Sequence, residues 1–421
     1  MMTLNRVVIT GLGALTPLGN NVSDFWDGLR NGVSGANEIT RFDTTKFKTH
    51  IACELKNFEA TDYMDKKDAR KNDPFIIYAI VSVEEAIKDS KLLVDRLNRE
   101  RCGVVWASGI GGVDTLYSEI SDYNTGDGTP RFSPFLATKM IIDMAAGQLA
   151  IKYGFKGANY ATVSACASSA NAIIDAYYQI LLGNADVMIA GGSESPITPV
   201  SIGGFNAMHA LSTRNDDCKT ASRPYDKDRD GFVIGEGAGA LILESLPHAL
   251  KRKAKIYAEI SGVGLSCDAF HITAPDPNGY GAALSMKNAI SNAKIRPTNI
   301  NYINTHGTST SLGDVSEINA IKSVFGNKSK VVVSSTKSMK GHLLGAAGAI
   351  EAIASILSIK NGYIPPTINH FTDDPDIDPC INILFNKAKK RSVNYVMSNA
   401  FGFGGHNTSI IFKKFNSSET Y

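Results

Sequence analysis

Cys166 stands apart from the other cysteines (53, 102, 218, 267 and 380) by its surroundings. It lies in Thr162-Val163-Ser164-Ala165-Cys166-Ala167-Ser168-Ser169-Ala170, where a β-like run gives way to a helical one. A thiol on such a turn sits at a helix N-terminus, where free N–H groups and the helix dipole favour thiolate. Small neighbours leave room for a substrate, as in a nucleophile elbow with sulfur as the attacking atom. The competing reading is a small buried cysteine in a tight turn, which composition alone favours. His306, in Asn304-Thr305-His306-Gly307-Thr308-Ser309-Thr310, follows a strand. His342 lies in Lys337-Ser338-Met339-Lys340-Gly341-His342-Leu343-Leu344-Gly345. A lone histidine is usually structural; two beside glycine at element edges, among eight in the chain, suggest chemistry. Lys337 reads either as a solvated lysine or as an ammonium buried beside the histidines. Glu317 reads either as that lysine's partner or as an exposed helix charge. A cysteine and two histidines could ligate zinc, but they are far apart in sequence and no CxxC pair anchors them, so no metal is expected.

The elements that must carry these residues are strands punctuated by glycine. Residues 7–10, 103–107, 185–190, 239–243, 301–304, 331–334 and 409–412 read as buried strands. Residues 74–88, 167–182 and 345–359 read as helices, the last rich in small residues and so closely packed. Alternating strands and helices predict an α/β protein with buried mixed sheets. Ile9-Thr10-Gly11-Leu12-Gly13 is echoed by Ile260-Ser261-Gly262-Val263-Gly264. Each stretch would open one of two similar halves, 1–250 and 251–421, joined through the basic segment after Leu246. The glycine-rich run Asn399-Ala400-Phe401-Gly402-Phe403-Gly404-Gly405-His406-Asn407 precedes a strand rather than a helix. It therefore reads as a close backbone approach to a reacting centre, with an aromatic side chain free to swing, and not as a phosphate cradle.

Composition narrows the field. The 421 residues are 43% hydrophobic and 20% charged, as in a globular protein, and 43 basic against 41 acidic side chains leave a net charge of +2. No global field draws the chain to nucleic acid or to an anionic membrane. No run of about 18 apolar residues suggests a membrane span. Residues 1–6 leave no space for a signal-peptide core before the first strand. Six scattered cysteines then suggest a reduced, cytoplasmic protein with mostly buried thiols.

Together these segments resemble the condensing enzymes of the thiolase superfamily, most closely the elongating β-ketoacyl-[acyl-carrier-protein] synthases of type II. The turn around Cys166, Asn304–Thr310, the run from Ser335 through Gly348, and Asn399–Asn407 occur in family order, and the resemblance spans Arg6–Phe412. It implies a five-layered αβαβα fold of two pseudo-duplicated halves, a homodimer, and an acyltransferase without a cofactor. By resemblance Cys166 accepts the acyl group, and His306 and His342 serve decarboxylation, supported by Lys337 with Glu317 nearby. The backbone N–H groups of Cys166 and Phe403 would form the oxyanion hole, and Phe403 would gate the site. Ile110 and Phe205 would line the acyl pocket, with Thr308, Thr310 and Phe401 on the substrate-binding side. The partner implied is an acidic acyl carrier protein, docking on Lys67, Arg70 and Lys71 with Arg131. The implied reaction extends a long-chain acyl group by two carbons from malonyl carrier protein, in bacterial fatty acid synthesis.

Four residues depart from the pattern: His209 replaces a usual arginine, Phe132 stands in a segment usually more basic, and Lys340 and His406 replace neutral residues. A thiolase would need a second cysteine in a CxGGG-like turn, which Asp378-Pro379-Cys380-Ile381-Asn382 is not. Initiating synthases of type III would carry asparagine where His342 stands. Ketosynthases of specialised polyketide-type pathways share every motif, so that alternative stays open. Inactive chain-length factors usually lose the nucleophile, and Cys166 speaks against that reading.

Overall fold

The computed structural model describes residues 4–417. The expectation drawn from residues 1–6 therefore falls partly outside the described residues. Ten strands form the main sheet. They are β1 (Val7–Leu15), β2 (Cys102–Ala107), β3 (Asn159–Thr162), β4 (Val187–Glu194) and β5 (Gly237–Ser245), then β6 (Ala258–Cys267), β7 (Tyr302–Asn304), β8 (Val332–Ser334), β9 (Tyr395–Gly402) and β10 (His406–Lys413). Their spatial order is β8-β7-β9-β10-β6-β1-β5-β4-β2-β3. From each edge inward the pattern is the same. Two parallel pairings (β3·β2 and β2·β4; β8·β7 and β7·β9) are followed by two antiparallel ones (β4·β5 and β5·β1; β9·β10 and β10·β6). The chain thus runs through one five-stranded topology twice, and a short antiparallel pairing of β1 with β6 joins the two copies.

The echoed glycines have a shared physical cause. Helix α1 (Pro74–Ser90) lies on β1 so closely that a Cβ on Gly13 would stand 1.8 Å from the Ser82 carbonyl oxygen, and one on Gly11 2.3 Å from that of Ala86. Helix α3 (Tyr280–Asn292) repeats this on β6, where Gly264 would meet the Ser285 carbonyl at 2.0 Å and Gly262 that of Ala289 at 2.5 Å. Only glycine lets backbone approach backbone so nearly.

Two helices fill the middle. Helix α2 (Ser168–Leu181) and helix α5 (Ala347–Asn361) pack on each other and against strands of both halves. Helix α5 is buried from Ala347 to Ile359, which explains its run of small and aliphatic residues without a polar face. The outer layers are α1 with Met144–Tyr153 on one side, and α3 with helix α4 (Ser311–Phe325) on the other. Helix, sheet, helix pair, sheet, helix gives the five-layered α/β architecture, with separate apolar clusters at the centre and under each outer layer. Among the described residues no helix is long and apolar enough to cross a membrane.

The thiols differ from expectation. Cys53, Cys102 and Cys166 are buried, Cys218 is half-buried, and Cys267 and Cys380 are exposed. Cys267 ends β6 and Cys380 lies in a surface turn, positions that the character of neighbouring residues did not mark.

Candidate active site

Strand β3 leads into the turn Ala165–Ala167 and then α2, which places Cys166 at the start of the central helix. Ala165 takes φ +50°, a left-handed conformation that a non-glycine residue adopts at a cost of order 1 kcal/mol. Ser168 secures the turn, its hydroxyl accepting from Ser164 N–H at 2.8 Å and donating to the Ala165 carbonyl at 2.6 Å. The loop from β9 to β10 closes over the thiol. A Cβ on Gly402 would stand 2.6 Å from the Ser164 carbonyl oxygen and 3.1 Å from the Cys166 nitrogen. That approach brings the Phe403 N–H onto the Cys166 sulfur.

His306 is held by what binds its backbone. Glu317, on α4, accepts from the N–H groups of His306 at 2.9 Å and Gly307 at 2.7 Å. His342 follows Gly341, whose φ of +72° and lack of Cβ fit it against Cys53 Sγ and the Val233 carbonyl. The His342 N–H donates to that carbonyl at 2.8 Å. The two imidazoles meet edge to face, with centroids 5.3 Å apart. Cys166 Sγ and the ring nitrogens of His306 and His342 lie within 4.8 Å of one another. This is the one Cys/His/carboxylate cluster of such spacing among the described residues, and a soft metal ion could in principle occupy it only by engaging these same atoms.

Electrostatics fix the resting protonation. Burial pushes the Cys166 thiol up to about 12; Lys337 and the Phe403 N–H act in the opposite direction, and Glu194 adds to the rise. The helix-terminal thiolate expected from sequence is therefore not the resting form, because desolvation outweighs the helix dipole at this depth. Burial, then the charge of Lys337, hold both imidazoles well below the usual histidine range, so both are neutral. Lys337 Nζ donates to the His306 carbonyl at 2.6 Å and approaches His306 Nδ1 at 3.4 Å, which places the imidazole proton on Nε2.

The carboxylate paired with Lys337 is Glu351, on α5, with Nζ–Oε1 2.5 Å; among the described residues Glu317 makes no ion pair, and it stays with the backbone of His306. Sequence reasoning missed Glu351. Its signal was a lone charge in the otherwise apolar run Gly348-Ala349-Ile350-Glu351-Ala352-Ile353. Glu317 is buried, and burial pushes it up to about 7.

Lys340 also reaches Glu351 Oε1, at 3.1 Å, and is fully buried. Two ammonium groups thus share one carboxylate, and burial draws Lys340 down from 10.5 to about 8. Below pH 8 the lysine is charged in both the folded and unfolded chain, and folding bears the full penalty. The penalty fades between pH 8 and 10.5, where only the unfolded chain stays protonated. Lys340→Met, similar in volume, is expected to stabilise the protein at pH 7 by up to about 3 kcal/mol, a gain that shrinks toward pH 10. Denaturant unfolding of both proteins at the two pH values checks this; a loss of stability at pH 7 would contradict it.

A cavity of about 440 Å³ opens beside the triad. Ile110 (38% exposed), Phe205, Thr308, Thr310, Phe401 and Phe403 all line it. The Thr308 and Thr310 hydroxyls are 3.0 Å apart, and Phe401 packs on His306 with centroids 5.9 Å apart. His209 also lines this cavity, exposed and at φ +54°, whereas Phe132 is remote on the surface against Tyr123 and His406 is exposed at the start of β10. The basic residues Lys67, Arg70 and Lys71 lie outside the cavity, on and after a one-turn helix. Lys71 pairs with Asp68 at 2.7 Å and Arg131 with Asp127 at 3.3 Å, while Lys67 and Arg70 have no carboxylate within ion-pair distance among the described residues.

A thiol facing two neutral imidazole donors is suited to joining acyl groups, and with the duplicated five-layered fold it defines a condensing enzyme of the thiolase-like class. The chain belongs to the β-ketoacyl synthase family. It matches the family models "Beta-ketoacyl synthase, N-terminal domain" over residues 4–249 and "Beta-ketoacyl synthase, C-terminal domain" over 257–371. It is 51% identical over 412 residues to a 3-oxoacyl-[acyl-carrier-protein] synthase 2 of Staphylococcus aureus (strain COL), covering 97% of this chain and 98% of that one. The protein of that name from Synechocystis sp. is 47% identical over 411 residues, with 97% and 98% covered. Among solved structures, a β-ketoacyl synthase from Burkholderia phymatum superposes with a TM-score of 0.91 at 35% identity, covering 98% of this chain and all of that one. The ketosynthase in the AntDE:AntF complex, a type II polyketide acyl carrier protein bound to its ketosynthase, superposes at 0.89 with 33% identity and covers 98% and 100%.

Proposed function

We propose that this chain is an elongating 3-oxoacyl-[acyl-carrier-protein] synthase of fatty acid synthesis, joining a Cys166-bound acyl group to the two-carbon unit of malonyl carrier protein. The observation that carries this reading is the meeting of Cys166 Sγ and two neutral imidazoles within 4.8 Å at the wall of a largely apolar cavity. In the first half-reaction Cys166 sulfur attacks the acyl thioester, and its proton passes to the departing carrier thiolate. The tetrahedral oxyanion is met by the N–H groups of Cys166 and Phe403. In the second, the malonyl thioester loses carbon dioxide. The electron pair left behind forms an enolate whose oxygen accepts from the imidazole N–H groups of His306 and His342. The enolate carbon attacks the acyl–sulfur carbonyl, the carbon–sulfur bond breaks, and the departing Cys166 thiolate takes a proton from water. Burial and Lys337, itself anchored by Glu351, keep His306 neutral and correctly turned; Glu317 fixes its backbone. No resident metal or organic cofactor enters these steps, and an ion on the triad would occupy the reacting atoms themselves.

The partner is an acyl carrier protein, its prosthetic arm entering past Thr308 and Thr310 and its acidic surface meeting Lys67 and Arg70, helped by Lys71 and Arg131. Reversing the charge of Lys67 and Arg70 together is expected to lower kcat/KM with carrier-bound acyl groups about tenfold, while small acyl thioesters stay within about twofold. Steady-state rates with both substrate forms decide this; equal losses on both would remove the docking role. The working form is a homodimer in the cytoplasm, halves 1–250 and 251–421 of each chain sharing one site. The exposed apolar residues Leu116, Tyr117, Ile120, Phe135 and Ile141 support a subunit contact, and sedimentation velocity tests it. Product mass from long-chain acyl and malonyl carrier proteins tests the activity itself. Extension only of a different primer class would favour a specialised polyketide-type ketosynthase. No extension with any primer would favour an inactive, chain-length-factor-like partner.

A further inference from the structure

Glu194 ends strand β4 with its side chain wholly buried and, among the described residues, no cation within ion-pair distance. Instead four donors converge on it. Oε1 accepts from the Ser108 hydroxyl at 2.6 Å and from Ile110 N–H at 3.0 Å. Oε2 accepts from Gly109 N–H at 2.6 Å and from Gly345 N–H at 2.8 Å. Four donors and no acceptor fit an ionised carboxylate, which only accepts. An unpaired buried charge costs several kcal/mol unless such donors compensate it, so the arrangement is expensive for mere packing.

What the carboxylate joins is specific. Ser108–Ile110 is the stretch that presents Ile110 to the cavity, and Gly345 lies three residues beyond His342. The two backbones meet so closely that a Cβ on Gly345 would stand 2.2 Å from Gly109 N and 2.5 Å from Glu194 Oε2. Glu194 is therefore the clasp between one wall of the cavity and the loop bearing a reacting imidazole. Its charge is also close enough to raise the Cys166 thiol, an effect adverse to the nucleophile.

We propose that Glu194 is a positioning residue for acyl-chain selection, fixing Ile110 relative to Cys166 so that a long acyl chain meets an ordered wall. The proposal rests on the reading of this cavity as the acyl pocket. A short acyl group reaches only the sulfur and the oxyanion donors, so its transfer does not depend on the wall.

Glu194→Gln keeps the shape but sets an amide NH₂ against at least one backbone N–H, whichever way it turns. The expected result is that acylation of Cys166 by a hexadecanoyl thioester falls tenfold or more relative to a butyryl thioester. Primer-free decarboxylation of malonyl thioester stays within about threefold, because His342 keeps its own anchor, its N–H on the Val233 carbonyl. A merely structural role would lower all three rates together. Gly345→Ala, which wedges the same clasp open with Glu194 intact, is expected to shift the ratio in the same direction and carries the test alone if Glu194→Gln does not fold. An unchanged hexadecanoyl-to-butyryl ratio in the folded variants would overturn the proposal. If the unaltered protein itself acylates with neither thioester, the pocket reading fails, and the proposal with it.

Discussion

Cys166→Ala is expected to lower condensation by at least about 10³-fold while leaving malonyl decarboxylation in place. The first part follows from the loss of the atom that bonds the acyl group; enzymes deprived of their nucleophile fall by this much or more. The second follows from geometry. In the proposed mechanism the enolate oxygen is held by His306 and His342, not by sulfur, and alanine keeps the turn at Ala165 and the N–H groups of residues 166 and 403 in position. The variant should then turn malonyl thioester into acetyl thioester and carbon dioxide, a proton from water replacing the lost carboxyl group. Mass spectrometry of the enzyme after incubation with an acyl thioester, and of the thioester product, reads both halves. Persisting two-carbon extension would show that another group carries the acyl chain. Loss of both activities together would mean that the sulfur takes part in decarboxylation, and the division of labour between thiol and imidazoles would have to be redrawn.

How much of this was legible in the sequence depended on whether a residue's role was local. The place of Cys166 at a helix start, as a candidate nucleophile, was legible because such a turn needs small neighbours on both sides, and Ser164 through Ala170 supply them. The duplication was legible in Gly11, Gly13, Gly262 and Gly264 because a helix lying on a strand forbids a Cβ there, a constraint visible one residue at a time. The protonation state of the thiol was not legible. It is a contest between a local dipole and the desolvation produced by packing of both halves, and only the fold shows that burial wins. The partner of Lys337 was equally hidden. Glu317 and Glu351 both follow the histidine motifs, and which one meets the ammonium depends on how α4 and α5 sit across the seam. Glu194 ends β4, while its four donors come from the loop after β2 and the turn after His342, segments whose meeting no spacing announces.

Removing one imidazole separates the half-reactions from the other side. His342→Ala is expected to slow condensation about 10²–10³-fold, the cost of losing one of two preorganised donors to a developing oxyanion. Acyl transfer to Cys166 should fall far less, since its oxyanion is met by backbone N–H groups. The donors must be neutral for this to work well. An imidazolium beside Lys337 and Lys340 would add a third positive charge to a site containing one ion-paired carboxylate, and burial with those two lysines keeps His342 deprotonated well below its usual range. The variant should therefore accumulate as acyl-enzyme when given both substrates, visible as a stable mass increase equal to the acyl group, whereas Cys166→Ala should show none. If His342→Ala instead failed to acylate, the imidazole would be acting on the thiol proton in the first half-reaction. Sulfur and ring nitrogens lie within 4.8 Å of one another, so a small side-chain movement would make that contact, and the same experiment on His306→Ala would show whether one ring serves the thiol and the other the enolate.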